Sequence, residues 1–490
     1  MASKTVYVAL TPLDHLHQPN YVKLCYYLPL KPNVSAQDVY ADLSKGLRKT
    51  FVQLPWLGGK VHNQAPDTPR WRPGQREIRY EPVSADGPPP HQLRYKELSS
   101  DLTYAELKEE GFPSDVFDDE DLLAVPVEGD LEAGCDIFVA QANFIPGACV
   151  LCMSTCHAAI DGTAMVIVMK AWADNCRSLY EEGAEAEQLP VESFDRNLLD
   201  RLWEQEGSRN VPAESADWWT KGLVGLEFDR SDNEDATTKK FNGVLNGYKM
   251  PSRLMTNRTF YMSSANIAAL QKECNDADTD GGDALSSNDV VTALMWRSLV
   301  RARAAAASPD DTSLSAESVL ESAIDGRTDF SQAVPPSYMG NITFYNQAQL
   351  QVADLQDPSV PLGQVARVIR AGAGRVNSAS LQEGYSLIRA VPDYRVLRPR
   401  FRRLKGADML ISNLLLFPVN DIVFGSEKFG NSGRAEAVRC FMGQFNHAAR
   451  VSFVLPRRSA GGIELSMNLY EEEMDSLLED DDFGRFCLPL

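Results

Sequence analysis

The apolar positions along this chain change period several times, and each change predicts an element. Val6, Val8 and Leu10 recur at every second position, the pattern of a strand. Val39, Leu43, Leu47 and Phe51 then recur at four-residue steps behind Ser35, which predicts a helix over 36–54 with Ser35 as its cap. Residues 55–90 are crowded with Pro and Gly, as in QLPWLGGKVH and DGPPPH, and read as turns between short strands. Cys149 to His157 is rich in β-compatible residues. From Thr163 onward Met165, Val166, Met169 and Trp172 follow helical steps, so a strand gives way to a helix running to about Tyr180. In the second half, RTFYMS reads as a strand and is followed by a helix led by Ser263 or Ser264. In SSNDVVTALMWRSLVRARAAAA, Val291, Leu294, Met295, Leu299 and Ala302 form one helical stripe, with Ser287 or Asn288 able to cap it.

Two stretches interrupt this patterning. Residues 181–216 are acidic with little periodicity before Leu198, and DRSDNEDATTKK, 229–240, holds no large apolar residue. They place an interdomain crossing at 206–245, between an N-terminal domain of 1–205 and a C-terminal domain of 246–490. A chain of 490 residues exceeds one ordinary core. Strand and helix patterns alternate on both sides of the crossing, so the fold class is α/β or α+β with two layered domains. No internal repeat or low-complexity tract is present.

Composition narrows the function classes. With 44% hydrophobic and 24% charged residues the chain reads as an ordinary globular protein. No run of eighteen apolar residues predicts a membrane span, and MASKTVYVALTPLDHL lacks the regions of a signal peptide; the expected location is cytoplasmic. Sixty-eight acidic against 48 basic residues give a formal charge of −20, which disfavours nucleic acid and anionic membrane as partners. Nine cysteines, odd in number and irregularly spaced, point to reduced thiols. The acidic clusters at Asp118–Asp121 and Glu479–Asp482 lack the glycine and spacing of a calcium loop and read as solvated loops. The glycosylation triplets at Asn33, Asn257 and Asn341 read as chance without a secretory signal.

The stretch ACVLCMSTCHAAIDGTAMVIVM carries the candidate chemistry. His157 and Asp161 fall at a strand end and in the turn after it, a position that projects side chains into clefts. Cys149, Cys152, Cys156 and His157 invite a zinc reading. On a strand, however, Cys152 and Cys156 face away from His157, and Cys149 lies ~27 Å along it. Buried structural cysteines and no metal are expected. Asp161 reads as an N-cap and Gly162 as the residue that lets the chain turn tightly. On these residues alone, a structural role accounts for His157 better than catalysis does.

Other segments resolve that ambiguity. HAAIDG, SSNDVVTALMWRSLVRAR, IDGRTDFSQAVPPSYMGN and ISNLLLFPVNDIVFG…GRAEAVR resemble, in order, the landmarks of the BAHD acyltransferase family. The likeness is greatest to its fungal members such as the trichothecene O-acetyltransferases, and LTPLDHL and LPWLGGKV also look like that group. The resemblance covers about 8–455. It implies two chloramphenicol-acetyltransferase-like domains, each a mixed sheet flanked by helices, with a solvent channel between them. It implies an acyl-CoA-dependent O-acyltransferase, with acetyl-CoA the default co-substrate, a hydroxylated secondary metabolite such as a terpenoid or polyketide as acceptor, and no permanently bound cofactor. Members usually act as monomers. His157 would be the general base of a ternary complex, and Asp161 would be structural, turned from the histidine and paired with an arginine, here Arg327. A neutral imidazole, with an ordinary pKa of ~6.5, suits such a base.

The C-terminal motif departs from the family pattern. Asn420-Asp421-Ile422-Val423-Phe424-Gly425 carries Val423 in place of the motif aspartate, and SEKFGNS is inserted before Gly433. Leu414 stands where many members carry a tryptophan near the reacting carbonyl, so Ser412 or Asn413 is the candidate oxyanion donor. The apolar LLLF run points to a greasy acceptor pocket. A basic cluster at Arg395, Arg398, Arg400, Arg402, Arg403 and Lys405, and also Arg301 and Arg303, could meet CoA phosphates or simply the acidic surface. Two rival readings stand beside the enzyme: a condensation-type protein using carrier-bound acyl groups, and a catalytically inactive binding or assembly protein. Condensation domains usually carry a second histidine where Cys156 stands. The acceptor, its hydroxyl position and the acyl length are not encoded in any motif here.

Overall fold

Two strands with apolar side chains on both faces form the spine of the N-terminal half. Tyr21–Pro29 and Ala148–Cys156 pair antiparallel along their whole length, from Tyr21 opposite Cys156 to Pro29 opposite Ala148. Leu24, Tyr26, Leu28, Cys149, Leu151 and Met153 feed one core, and Cys25, Tyr27, Val150 and Cys152 a smaller one on the other face. A strand buried on both faces reads as a nearly continuous apolar run, which these sequences are. The structure is a computed structural model describing residues 5–114, 116–206, 215–226, 255–276, 283–307, 316–397, 406–440, 451–458 and 461–490.

Among the described residues there are three sheets, so the class is the expected mixed α/β. The spine belongs to a five-stranded sheet in the order Ala437–Cys440, Tyr21–Pro29, Ala148–Cys156, Phe138–Ile145, Leu93–Glu97. A seven-stranded mixed sheet in the C-terminal half runs Thr343–Gln351, Glu317–Asp325, Met409–Asn413, Val451–Val454, Ile463–Tyr470, Met255–Met262, Leu488–Pro489. A four-stranded antiparallel sheet includes Val6–Ala9, as the alternation of Val6 and Val8 requires, and the short strands Lys60–Asn63 and Arg76–Tyr80 from the Pro- and Gly-rich region.

The helices follow their periodicity. Ala36–Gln53 begins where Ser35 Oγ accepts the Asp38 N–H at 3.1 Å, and its stripe of Val39, Leu43, Leu47 and Phe51 is buried. It packs on Gly162–Arg177, whose Trp172 donates from Nε1 to the Leu43 carbonyl at 2.9 Å. Ser287–Ala306 corrects one expectation, because its cap is Ser286 and not Ser287 or Asn288. Ser286 has the extended backbone a cap needs and exchanges hydrogen bonds with Asp289. Beyond the expected stripe, Val290, Ala293, Trp296 and Val300 are buried too, since helices Ser264–Asp276, Leu362–Gly374 and Glu471–Leu478 pack around this one.

The two halves interleave. Ala437–Cys440 leaves the C-terminal half to pair with Tyr21–Pro29. Leu198, Leu199, Leu202 and Trp203 pack among Phe330, Tyr338, Phe344 and Tyr385. Of the crossing expected at 206–245, residues 207–214 and 227–245 lie outside the described residues, while the short helix Trp218–Leu223 joins this same cluster.

The thiol expectation needs correction. Cys25 and Cys152 form a disulfide, because the register sets them directly opposite with Cα atoms 4.1 Å apart, a closeness their separation of 127 residues conceals. The other described cysteines are free and buried. No described helix is long and apolar enough to cross a membrane.

Arg439 on the crossing strand is buried and forms a forked ion pair with Glu464 of the C-terminal sheet, at 2.9 and 3.3 Å. Its remaining donors reach the Phe112, Gly111 and Val438 carbonyls. Removing one partner of such a pair strands the other charge. Arg439→Met should therefore lower stability by ~3 kcal/mol in urea unfolding; a loss below ~1 kcal/mol would mean that Arg458, 3.1 Å from Glu464, compensates alone.

Candidate active site

The strand Ala148–Cys156 ends one residue before His157, and the helix Gly162–Arg177 starts five residues after it. His157 is held by its main chain: its N–H donates to the Asn20 carbonyl and its own carbonyl accepts from Asn341 Nδ2, both at 2.9 Å. The ring keeps partial exposure, but Nδ1 is sealed and has no hydrogen-bond partner of good geometry. Burial lowers its pKa below the ordinary 6.5, against the opposing pull of its own carbonyl, Asp161, Asn341 and Asp14. The neutral imidazole is thereby favoured at pH 7.

Asp161 performs both tasks left open by the sequence. One oxygen caps the helix by accepting the Ala164 N–H at 2.9 Å and also meets Arg327 Nη2 at 2.8 Å. The other accepts the Ile342 N–H at 3.2 Å. Arg327 is buried and spends its fork on Asp161, Asp325 and the Tyr338 carbonyl. Burial works against its charge, yet Asp161 and Asp325 outweigh that and hold its pKa above the usual arginine value. Thr163 Oγ1 completes the join with a 2.8 Å bond to Asp325. The carboxylate therefore faces the arginine and backbone donors.

Gly162 has a different reason from the one its turn position suggests. It needs no left-handed backbone; a Cβ there would lie 2.9 Å from Phe417 Cζ. The absent side chain lets the Leu414–Phe417 turn close on the loop. In that turn Leu414 and Leu415 enter the N- and C-terminal cores respectively, while Leu416 is 88% exposed. Leu414 spends its N–H on Val454 O at 2.8 Å. Asn413 is hydrogen-bonded through Nδ2 to Asn288 and through Oδ1 to the Leu415 N–H. The half-buried Ser412 lies opposite Phe453 in the sheet.

Phe424 of the altered C-terminal motif is buried edge-on against Trp172, 5.9 Å away at 81°, so this loop braces the helix that follows His157. Gly425 and Gly433 both have positive φ, and a Cβ on Gly433 would lie 2.5 Å from Gly425 backbone atoms. Asp421 is exposed and Val423 half-buried.

A second buried ion pair was missed by sequence reasoning. Asp14, in the LTPLDHL stretch, is fully buried and accepts from Thr11, from both donors of Asn341, and from Arg196 at 3.2 Å. Arg196 also donates to Ala159 O at 2.7 Å, inside the histidine loop. The available signal was an aspartate amid apolar neighbours, which must find a cation once buried. Asn341, one of the glycosylation triplets, is fully buried at this joint. His17 was also missed; its ring stacks on His157 with centroids 3.9 Å apart and planes 6° from parallel. His15 serves structure, with Nδ1 bonded to Thr11 O and Nε2 accepting from the Arg76 N–H.

Cys156 is buried beside Cys135. No group of residues able to hold a metal occurs among the described residues. Of the basic candidates, Arg301 pairs with Asp482, Arg303 donates to the Gly406 and Asp408 carbonyls, and Arg395 pairs with Asp393; residues 398–405 lie outside the described residues.

The model of the Transferase family matches residues 100–483, and that of the trichothecene 3-O-acetyltransferase-like N-terminal domain matches 20–176. An isocyanide synthase–NRPS hybrid of Aspergillus fumigatus is 28% identical over 98% of this chain, which spans only 31% of that relative. An acyltransferase of Botryotinia fuckeliana is 26% identical over 100% of this chain and 99% of its own length. The crystal structure of F. sporotrichioides TRI101 complexed with coenzyme A and T-2 superposes with a TM-score of 0.71 at 18% identity, covering 99% of both chains. That two-domain fold is the fold of this chain.

Gly162→Ala should cost ~2 kcal/mol by forcing Phe417 away, and Phe417→Leu in the same chain should recover most of it in denaturant unfolding. An additive double mutant would show that the contact does not explain the glycine.

Proposed function

The chain belongs to the Transferase family and is an acyl-transferring enzyme; on that premise we propose that it transfers an acyl group, acetyl by default, from coenzyme A to a hydroxyl of a small secondary metabolite, with His157 as general base. The observation that carries this reading is a partly exposed histidine, kept neutral by burial, on a loop clamped by two buried ion pairs. The acyltransferase relatives support acyl transfer, and the coenzyme A in the TRI101 crystal supports the donor class.

An alcohol is a poor nucleophile at neutral pH, so its proton must be taken as the new bond forms. Nδ1 of His157 is sealed, which leaves Nε2 to accept that proton. The acceptor oxygen adds to the thioester carbonyl, the C–S bond breaks, and the proton passes from Nε2 to the departing thiolate. The products are an ester and free CoA, and no acyl-enzyme is needed. Cys156 is fully buried, which argues against its acting as a nucleophile. Asp161 orients the loop through Arg327 and takes no proton. The Leu414 N–H and one N–H of Asn413 already have partners, and we assign the Ser412 hydroxyl to the carbonyl oxygen during addition, with the second Asn413 N–H as the other donor of that strand end.

One observation favours a variant of this reading. The Aspergillus relative carries a similar region as about a third of an NRPS hybrid, so the acyl donor could sit on a carrier's phosphopantetheine arm. Cys156 in place of a second histidine speaks against it.

Incubation with acyl-CoAs and hydroxylated terpenoids or polyketides should release CoA only when acceptor is present, and His157→Ala should lower kcat by ~10²-fold or more. Equal release by wild type and variant would remove His157 as the base; turnover only with acyl-carrier protein would move the donor to a carrier. CoA binding without turnover across the panel would favour a binding protein. A second expectation concerns pH. A base must be neutral to act, and burial lowers this one, so kcat/KM should be flat from pH ~7 to 8 and fall only below ~6.5. A limb centred above 7 would contradict the environment described.

A further inference from the structure

The rigidity of the proposed base has an unusual origin. The Asn20 carbonyl, accepting the His157 N–H, and the Asn341 side-chain amide, donating to the His157 carbonyl, fix the backbone of His157, but its sealed Nδ1 makes no in-plane bond of good geometry. In many catalytic histidines that bond sets the ring's tilt and tautomer. Here the ring is instead covered on a face by another imidazole, His17, at 3.9 Å and 6°.

His17 is itself well anchored. It is 6% exposed, its carbonyl accepts from Arg76 Nη1 at 2.6 Å, and the Tyr345 ring of the C-terminal sheet stands 6.4 Å away, tilted by 43°. Arg76 is fastened in turn, since its N–H donates to His15 Nε2. The stacked face is therefore as fixed as the small sheet that supplies Arg76.

We propose that His17 is a positioning residue for acyl transfer: its flat ring, stacked on His157, sets the plane of the base and shares the positive charge that His157 acquires on taking the acceptor's proton. This rests on the assignment of His157 as the base. The charge argument is that of a cation over an aromatic face, which attracts most when desolvated. Two protonated imidazoles so close would repel, so the partner serves as a neutral face while the base carries the proton.

The test separates a flat face from mere bulk. His17→Leu fills similar space without a ring, and His17→Phe restores a ring that cannot titrate. With a productive acceptor, His17→Leu should lower kcat about tenfold while both KM values stay within about twofold, and His17→Phe should keep kcat within about threefold of wild type. Independently of turnover, the His157 ring proton in protein labelled with [13Cε1]histidine should show an upfield ring-current shift, identified by its loss in His157→Ala. The shift should persist in His17→Phe and vanish in His17→Leu. Unchanged kcat in His17→Leu, or equal losses in both His17 variants, overturns the proposal. If His157→Ala is inactive while His17→Leu is normal, this inference fails alone; if His157→Ala is as active as wild type, the base assignment fails and the positioning role with it, whatever the ring-current shift shows.

Discussion

A carboxylate and a guanidinium removed from water together, Asp161 and Arg327, are the constraint on which the site depends. Neither charge could be buried alone, because the cost of desolvation would protonate or expel it. Each must therefore meet the other, and they come from opposite halves of the chain. Asp161 starts the helix behind His157, while Arg327 follows the strand Glu317–Asp325 of the C-terminal sheet. Closing this pair fixes where the histidine loop stands relative to the second half. Asp14 and Arg196 repeat the device a short way off, and Asn341 ties the two together by donating both to Asp14 and to the His157 carbonyl.

The same burial tunes the chemistry. The environment that requires charges to pair also disfavours a proton on an unpaired imidazole, so His157 is held towards its neutral form. Placing the carboxylate on Arg327 instead of on the ring matters here. A carboxylate bonded directly to the imidazole would raise its basicity; Asp161, occupied with Arg327, Ala164 and Ile342, pulls only through space. A structural carboxylate and a weakly basic histidine are thus two results of one arrangement.

Much of this was legible in the sequence where local rules decide. The period of Val39, Leu43, Leu47 and Phe51 with Ser35 ahead of it gave a helix and its cap, and the change of period after His157 located the strand-to-helix turn. What could not be read depends on partners remote in sequence. Cys25 meets Cys152 only through sheet register; Asp14 meets Arg196, and His17 meets His157, only through the fold. Gly162 shows the limit within a motif. Its place after an aspartate points to backbone freedom, whereas its use is to admit Phe417 from the other half. Ser286 took the cap from Ser287 and Asn288 because backbone conformation, and not residue type alone, selects a cap. The LLLF run divided between two cores and solvent, a split that hydropathy does not encode.

The crossing strand Ala437–Cys440 has a consequence for how the protein is made. A ribosome releases the chain from its N-terminus, and Tyr21–Pro29 emerges more than four hundred residues before the strand that completes its sheet. Until then one side of Tyr21–Pro29 is an open edge of unpaired backbone groups, available to any other extended segment. The N-terminal half therefore cannot finish folding until most of the chain has been made. Its edge must be kept from wrong partners for that interval, and a gene cut between the halves would leave the edge open permanently.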